Sequence, residues 1–429
     1  MSRIIPFRGI RYNKDEIDDL AAVVTQPYDR IDGPEQKAYY ERSPYNIVRI
    51  IKGKAALPGD VYASAASFFL DWLNEGILKR DETPSLYVYH QEYTYANERL
   101  TRKGFIALGK LEPEQVHAHE RTLRGPKEDR LRLMRATEGN FGQIFMLYSD
   151  PQRAADKELE AAISERPPTI SLKDDLGSRH LVWQVVDKRV IGEVQAAIAD
   201  KDLYIADGHH RYETAVNFMG ECKKQGWKPT ALESFDYRMM TLFNIDEPGM
   251  TIRPIHRLIH GLPDFDPQLF LTKLEKDFAV KRCSTLAEME AALKAGPDHH
   301  TFGCYTGGIF STLTVRDENL IDRLVTVERS MDWKRLDVSV LHIAILERHL
   351  GIDAAALEEE RNITYSHDVL DAVDRVDQKD EQIFFCLNPT SPDEVRRVAD
   401  HGEKMPQKST DFYPKLLTGL VLSRMEIQK

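Results

Sequence analysis

Several things are scarce in this chain, and each scarcity removes a class of function. Cysteine occurs four times in 429 residues, at Cys222, Cys283, Cys304 and Cys386, never as a Cys-x-x-Cys pair. That spacing argues against a zinc ribbon and fits reduced, mostly buried thiols. No apolar run approaches the roughly 18 residues of a membrane span. The start, Met1-Ser2-Arg3-Ile4-Ile5-Pro6-Phe7-Arg8, has no apolar core long enough for a signal peptide, so a cytoplasmic protein is expected. Positive charge is in deficit, with 58 Lys and Arg against 69 Asp and Glu and a net charge of −11. A basic surplus is the footprint of wholesale nucleic-acid binding, and nucleic acid is disfavoured as a partner. No GxGxxG follows a strand, no GxxxxGKS/T occurs, and neither GxSxG nor HExxH is present. A dinucleotide fold, a Walker loop, a serine nucleophile elbow and a zinc protease are thereby set aside.

What is present is a globular composition, 42% hydrophobic and 30% charged, in a chain long enough for about two or three domains. Asp60 to Leu78 has the apolar spacing of an amphipathic helix. Ser85 to Tyr95 and Gly104 to Leu111 read as paired strands joined at Asn97-Glu98, and Gln143 to Tyr148 as a buried strand. Thr301 to Tyr305 and Thr312 to Val315 fit a hairpin turning at Gly307-Gly308. Tyr237 to Phe243 reads as a strand and Asp337 to Leu350 as a helix stopped by Gly351. The apolar segment Tyr413 to Met425 is expected to dock rather than hang free.

The densest chemistry lies in Leu203-Tyr204-Ile205-Ala206-Asp207-Gly208-His209-His210-Arg211, which reads as a buried strand, a glycine turn and a helix start. The first N–H groups of a helix are unpaired and carry the positive end of its dipole, a ready anion site. Gly208 lets backbone approach closely, and Arg211 can grip two oxygens. A plain helix cap by Asp207 with two surface histidines would use the same residues; the crowding of ionisable groups favours a site. A second cluster is His117-Ala118-His119-Glu120-Arg121-Thr122, with Lys127 and Arg130 beyond it. There a carboxylate beside an imidazole suits general-base or metal-holding work. A third is Lys404 to Lys415, whose lysines and hydroxyls suit phosphate oxygens. Gln26-Pro27-Tyr28-Asp29 is a proline-fixed turn, and His256 beside Arg257 is a further phosphate-ligand candidate, more simply a satisfied buried histidine.

These blocks, with Pro6-Phe7-Arg8-Gly9, Tyr45-Asn46-Ile47-Val48 and Met405-Pro406-Gln407-Lys408-Ser409-Thr410, resemble the motifs of the bacterial and archaeal DUF1015 family over nearly the whole chain. The Asp-Gly-His-His-Arg block further resembles the phosphate-gripping Gly-x-x-Arg turn of the ParB/sulfiredoxin superfamily, and its Asp-Gly-His form is similar to that of the free-serine kinases. Sulfiredoxin's reactive cysteine is replaced here by His209 or His210, which argues against cysteine redox chemistry. The acidic charge and the lack of an evident helix-turn-helix argue against DNA partition.

The resemblance implies an α+β fold. Residues 1–235 would be a ParB/sulfiredoxin-like, mixed-sheet nucleotide-binding domain. Residues 236–429 would be a second α/β domain whose C-terminal segment returns to the site. The expected function is a nucleotide-dependent kinase that phosphorylates a small hydroxyl substrate, with free L-serine leading. Gly208, His209, His210, Arg211, Lys408, Ser409, Thr410 and Lys415 would hold ATP or ADP. Glu120 or Asp207 would take the hydroxyl proton or hold Mg²⁺, with His119 orienting the carboxylate. Arg211→Ala is expected to lose most activity while leaving folding intact. A nucleotide-binding regulatory switch and a metal-dependent phosphohydrolase are the rival readings, and a homodimer is left open.

Overall fold

The computed structural model describes residues 3–54, 60–113, 116–118, 124–230, 233–295 and 300–429. The chain divides into two compact units. Among the described residues, one holds the chain up to Met250 together with Pro414–Lys429, and the other is Thr251–Tyr413. The division falls beyond residue 235 because the strand Tyr237–Asn244 belongs to the middle of the first unit's sheet.

That sheet has nine strands: β1 (Ile4–Ile5), β2 (Leu86–Tyr95), β3 (Glu98–Lys110), β4 (Val116–Ala118), β5 (Ile144–Tyr148), β6 (Ile170–Lys173), β7 (Arg179–Val185), β8 (Leu203–Asp207) and β9 (Tyr237–Asn244). Their order is β4-β8-β5-β9-β3-β2-β7-β6, with β1 set against β3. The pairs β8–β4 and β9–β5 are parallel and the others antiparallel, so the sheet is mixed as expected. β2 and β3 form the hairpin foreseen at Asn97, where Ala96 and Asn97 take φ of 50° and 67°. Positive φ at both central residues matches the twist that a two-residue hairpin needs. Every residue of β5 and of β9 is buried, as near-continuous apolar runs require when both sheet faces are covered. Ile144, Met146, Leu203, Ile205, Met240 and Leu242 share a core with Tyr212, Ala215 and Phe218 of the helix His209–Lys224.

The apolar C-terminal segment docks as expected, and it docks within this first unit. Thr25 and Thr418 exchange backbone hydrogen bonds at 3.0 and 2.9 Å, and Ile10 and Leu422 do so at 2.8 Å each. Ser423 and Arg424 then pair with Asn140 and Gly139, and Ile427 and Gln428 with Pro229 and Lys228. Leu416, Leu417, Leu420, Val421 and Leu422 are all buried.

The second unit is built on a six-stranded, wholly antiparallel sheet: β10 (His256–Ile259), β11 (Phe278–Cys283), β12 (Thr301–Thr306), β13 (Ile309–Val315), β14 (Ile363–Ser366) and β15 (Ile383–Cys386). The order is β11-β13-β12-β15-β10-β14. Gly307 and Gly308, at φ 56° and 77°, turn the β12–β13 hairpin. Among the described residues, no helix is long and apolar enough to cross a membrane.

Candidate functional site

β8 delivers Asp207 to the sheet edge of a turn that only glycine fits. Gly208 caps the helix His209–Lys224 at φ 96°, a left-handed conformation. A Cβ there would also lie 3.1 Å from the guanidinium carbon of Arg211. Arg211 is therefore not an open fork at the surface. It is 6% exposed, and its Nη1 donates to the carbonyl of Gln143 while Nη2 donates to Asp207 Oδ2 at 3.1 Å. The guanidinium ties the helix start to the strand and to the 142–143 loop, so Arg211→Ala is expected to cost stability as well as activity.

The other Asp207 oxygen faces Lys415, whose Nζ lies 3.8 Å from Oδ1. The docked C-terminal segment thus brings Lys415 to the strand-turn-helix junction. Arg102, buried on the rings of Phe145 and Phe243, also feels the Asp207 charge, and desolvation lowers its pKa to about 10. His209 is buried in the first helical turn, while His210 is half-buried. Burial lowers the His210 pKa; nearby Lys127 and Arg211 push the same way, against Asp29 and Glu213.

The remaining residues expected at the site divide three ways. His119 and Glu120 lie outside the described residues, as do Arg121 and Thr122 of the same cluster. Lys408, Ser409 and Thr410 belong to the second unit. There Lys408 Nζ stands 3.6 Å from Glu360, its carbonyl accepts from Arg257 at 2.8 Å, and the Ser409 hydroxyl donates to the Pro406 carbonyl at 2.6 Å. His256 accepts the Leu387 N–H at 3.2 Å, the satisfied buried histidine of the simpler reading. Two conspicuous motifs hold the fold. Arg8 of the Pro-Phe-Arg-Gly block donates from backbone and side chain to Glu233, and the buried Asn46 amide donates to the Ala22 carbonyl while its oxygen accepts the Val48 N–H.

Among the described residues, no group of three or more His, Cys, Asp or Glu side chains is placed to hold a metal ion. Asp207 faces Arg211 and Lys415.

Beside the turn lies a cavity. The helices Arg124–Thr137 and His209–Lys224 flank it with Arg130, Leu133 and Met134 on one side and Arg211 and Thr214 on the other. The Pro27-Tyr28 turn, Ile51, Phe141 and Thr418 complete much of the wall, and β9 contributes Arg238. Arg130 lies 4.1 Å above the centre of the Tyr28 ring and donates to the Ile51 carbonyl at 2.7 Å. Burial raises the Tyr28 pKa to about 12, opposed by Arg211 and Arg130. The Gln26-to-Asp29 turn and the Asp207-to-Arg211 turn, far apart in sequence, therefore meet at one cavity. Arg238 was not singled out in the sequence. A lone arginine inside the apolar run Tyr237-Arg238-Met239-Met240 was the available signal.

The profile of a family described as "Protein of unknown function (DUF1015)" matches residues 4–339. A search of curated proteins finds no match. Among solved structures, the chain is similar to a conserved hypothetical protein from Pyrococcus furiosus, with 12% identity, a TM-score of 0.34, and 72% of this chain and 92% of that one covered. It is also similar to a free serine kinase in complex with AMP, with 12% identity, a TM-score of 0.35, and coverage of 71% and 86%. A third is SbnI with a C-terminal truncation from Staphylococcus aureus, with 10% identity, a TM-score of 0.34, and coverage of 73% and 85%.

Proposed function

Since the chain belongs to the DUF1015 family, whose description assigns no activity, we propose a function from its own site: nucleotide-dependent transfer of phosphate to a small hydroxyl acceptor, free L-serine first among candidates. The observation that carries the reading is the convergence of Asp207, Arg211 and Lys415 on one glycine-turned helix start. Phosphoryl transfer asks for positioning and charge neutralisation more than for covalent chemistry. The N–H groups of the first helical turn and the Lys415 ammonium would meet phosphate oxygens of ATP or ADP. Asp207 holds both cations in place and would take the proton of the acceptor hydroxyl. The likeness of the turn to the ParB/sulfiredoxin phosphate grip supports the same reading.

The test is mass-spectrometric detection of phosphorylated product from ATP or ADP, Mg²⁺ and a panel of free amino acids and sugars. Lys415→Met is the informative variant, because Lys415 is not part of the Arg211 anchor. Loss of one charged contact of this kind costs about 2–4 kcal/mol in the transition state, so turnover should fall by about 10²-fold or more while the melting temperature holds. Nucleotide binding with no transfer to any acceptor would replace the kinase by a regulatory switch. Phosphate release without acceptor would replace it by a phosphohydrolase.

A further inference from the structure

We infer that the cavity beside the turn is a site for a small oxyanion, a carboxylate or phosphoryl group on a body with an apolar part, centred on Arg238. The inference goes beyond the kinase reading and stands whether or not the chain transfers phosphate. Three guanidiniums, from Arg130, Arg211 and Arg238, line this one space, and among the described residues no carboxylate lines it. Two of the three have their counter-ions elsewhere: Arg130 Nε donates to Asp129 at 2.7 Å, and Arg211 is paired with Asp207. Arg238 differs. It is 6% exposed, it is joined in no ion pair, and its Nε and Nη1 meet no hydrogen-bond partner among the described residues.

Burying a cation without a partner is costly, and an unmade hydrogen bond on a charged group adds to the cost. Burial and the neighbouring Arg211 pull the Arg238 guanidinium down to about 9, which still leaves it charged at neutral pH. A charge kept under those conditions is matched by an anion that enters from outside, drawn by the three guanidiniums along the lining. The rest of the lining narrows the class. Pro27, Tyr28, Ile51, Leu133, Met134 and Phe141 offer apolar and aromatic surface, which suits a compact organic acid or a phosphorylated small molecule. A cationic ligand, or an ammonium group turned inward, would meet three like charges.

The experiment is calorimetric titration of the full chain with inorganic phosphate, ADP and acetate in separate arms, repeated on Arg238→Met, with a thermal melt of each protein free of added anion. The expected result is binding of at least one probe to the wild type and at least tenfold weaker binding to Arg238→Met, with the anion-free melting temperature unchanged or raised. Phosphate or ADP as the binding probe assigns a phosphoryl ligand, and acetate alone assigns a carboxylate. The inference is overturned if no probe binds, if the variant binds as tightly as the wild type, or if the variant melts several degrees lower, which would make Arg238 a structural cation. Transfer activity is read separately. Lost binding in Arg238→Met of a chain that shows no transfer leaves this site standing and removes the kinase, while transfer by the wild type together with equal probe affinities in the two proteins removes this site and leaves the kinase.

Discussion

Gly208 carries two constraints at once, a φ of 96° and a guanidinium 3.1 Å from where a methyl group would go. Gly208→Ala should therefore lower stability by about 1–3 kcal/mol, the usual cost of a non-glycine residue held in a sparsely populated conformation. A urea titration followed by circular dichroism checks it, and an unchanged midpoint would mean that the turn relaxes freely. Arg211→Ala is expected to lower the same midpoint, because it releases the Gln143 carbonyl as well as Asp207. The need for a glycine was legible in the sequence, since a strand running straight into a helix demands a tight turn. The burial of Arg211 was not, because its partner Gln143 stands 68 positions upstream. Arg238 shows the same limit. Its surroundings come from two helices, a loop and the C-terminal segment, and a single strand's pattern contains none of them.

Among the elements, the C-terminal segment contributes most beyond its length. Leu422 is fully buried in a cluster with Phe69 and Phe141, and Phe141 is itself part of the cavity wall. Leu422→Ala should cost about 2–5 kcal/mol, the range for truncating a buried leucine. The same variant should weaken any ligand held against Phe141, and chemical denaturation paired with the calorimetric titration would show both losses. That this segment would dock was readable from its apolar composition; its partners Ile10, Thr25, Gly139 and Pro229 were not, being scattered from near the start of the chain to just past its middle. Hairpins were the most legible elements, for Asn97 and Gly307-Gly308 state their turn chemistry locally. The helix expected over Asp337 to Leu350 departs in one respect. Its middle, Leu341–Glu347, is π-helical, with ordinary helix on either side and Gly351 ending it at φ 70°. No glycine or proline marks that change of pitch, so the sequence pattern carries no signal for it.

For the molecule as a whole, two histidines set a common response to acid, one in each unit. Burial first, and then a neighbouring cation, Lys103 for His90 and Arg257 for His256, lowers both to about 4. Above the unfolded value near 6.5, both states are neutral and stability is flat. Between that value and about 4 only the unfolded chain takes up the protons, so stability falls as pH falls, and it levels off with respect to these groups below about 4. Replacing each by glutamine should flatten the curve of melting temperature against pH between about 6.5 and 4, apart from any fixed loss at neutral pH. An unaltered slope in the double variant would mean that other groups govern it. The docking of Pro414–Lys429 into the first unit has a temporal consequence as well. Among the described residues, the second unit is one continuous stretch, whereas the first closes only when residues beyond Tyr413 have been made. At about 5–20 residues per second, the ribosome leaves the earlier-born unit waiting on the order of ten seconds for its last strands. The part of the chain synthesised first is therefore the part that finishes folding last.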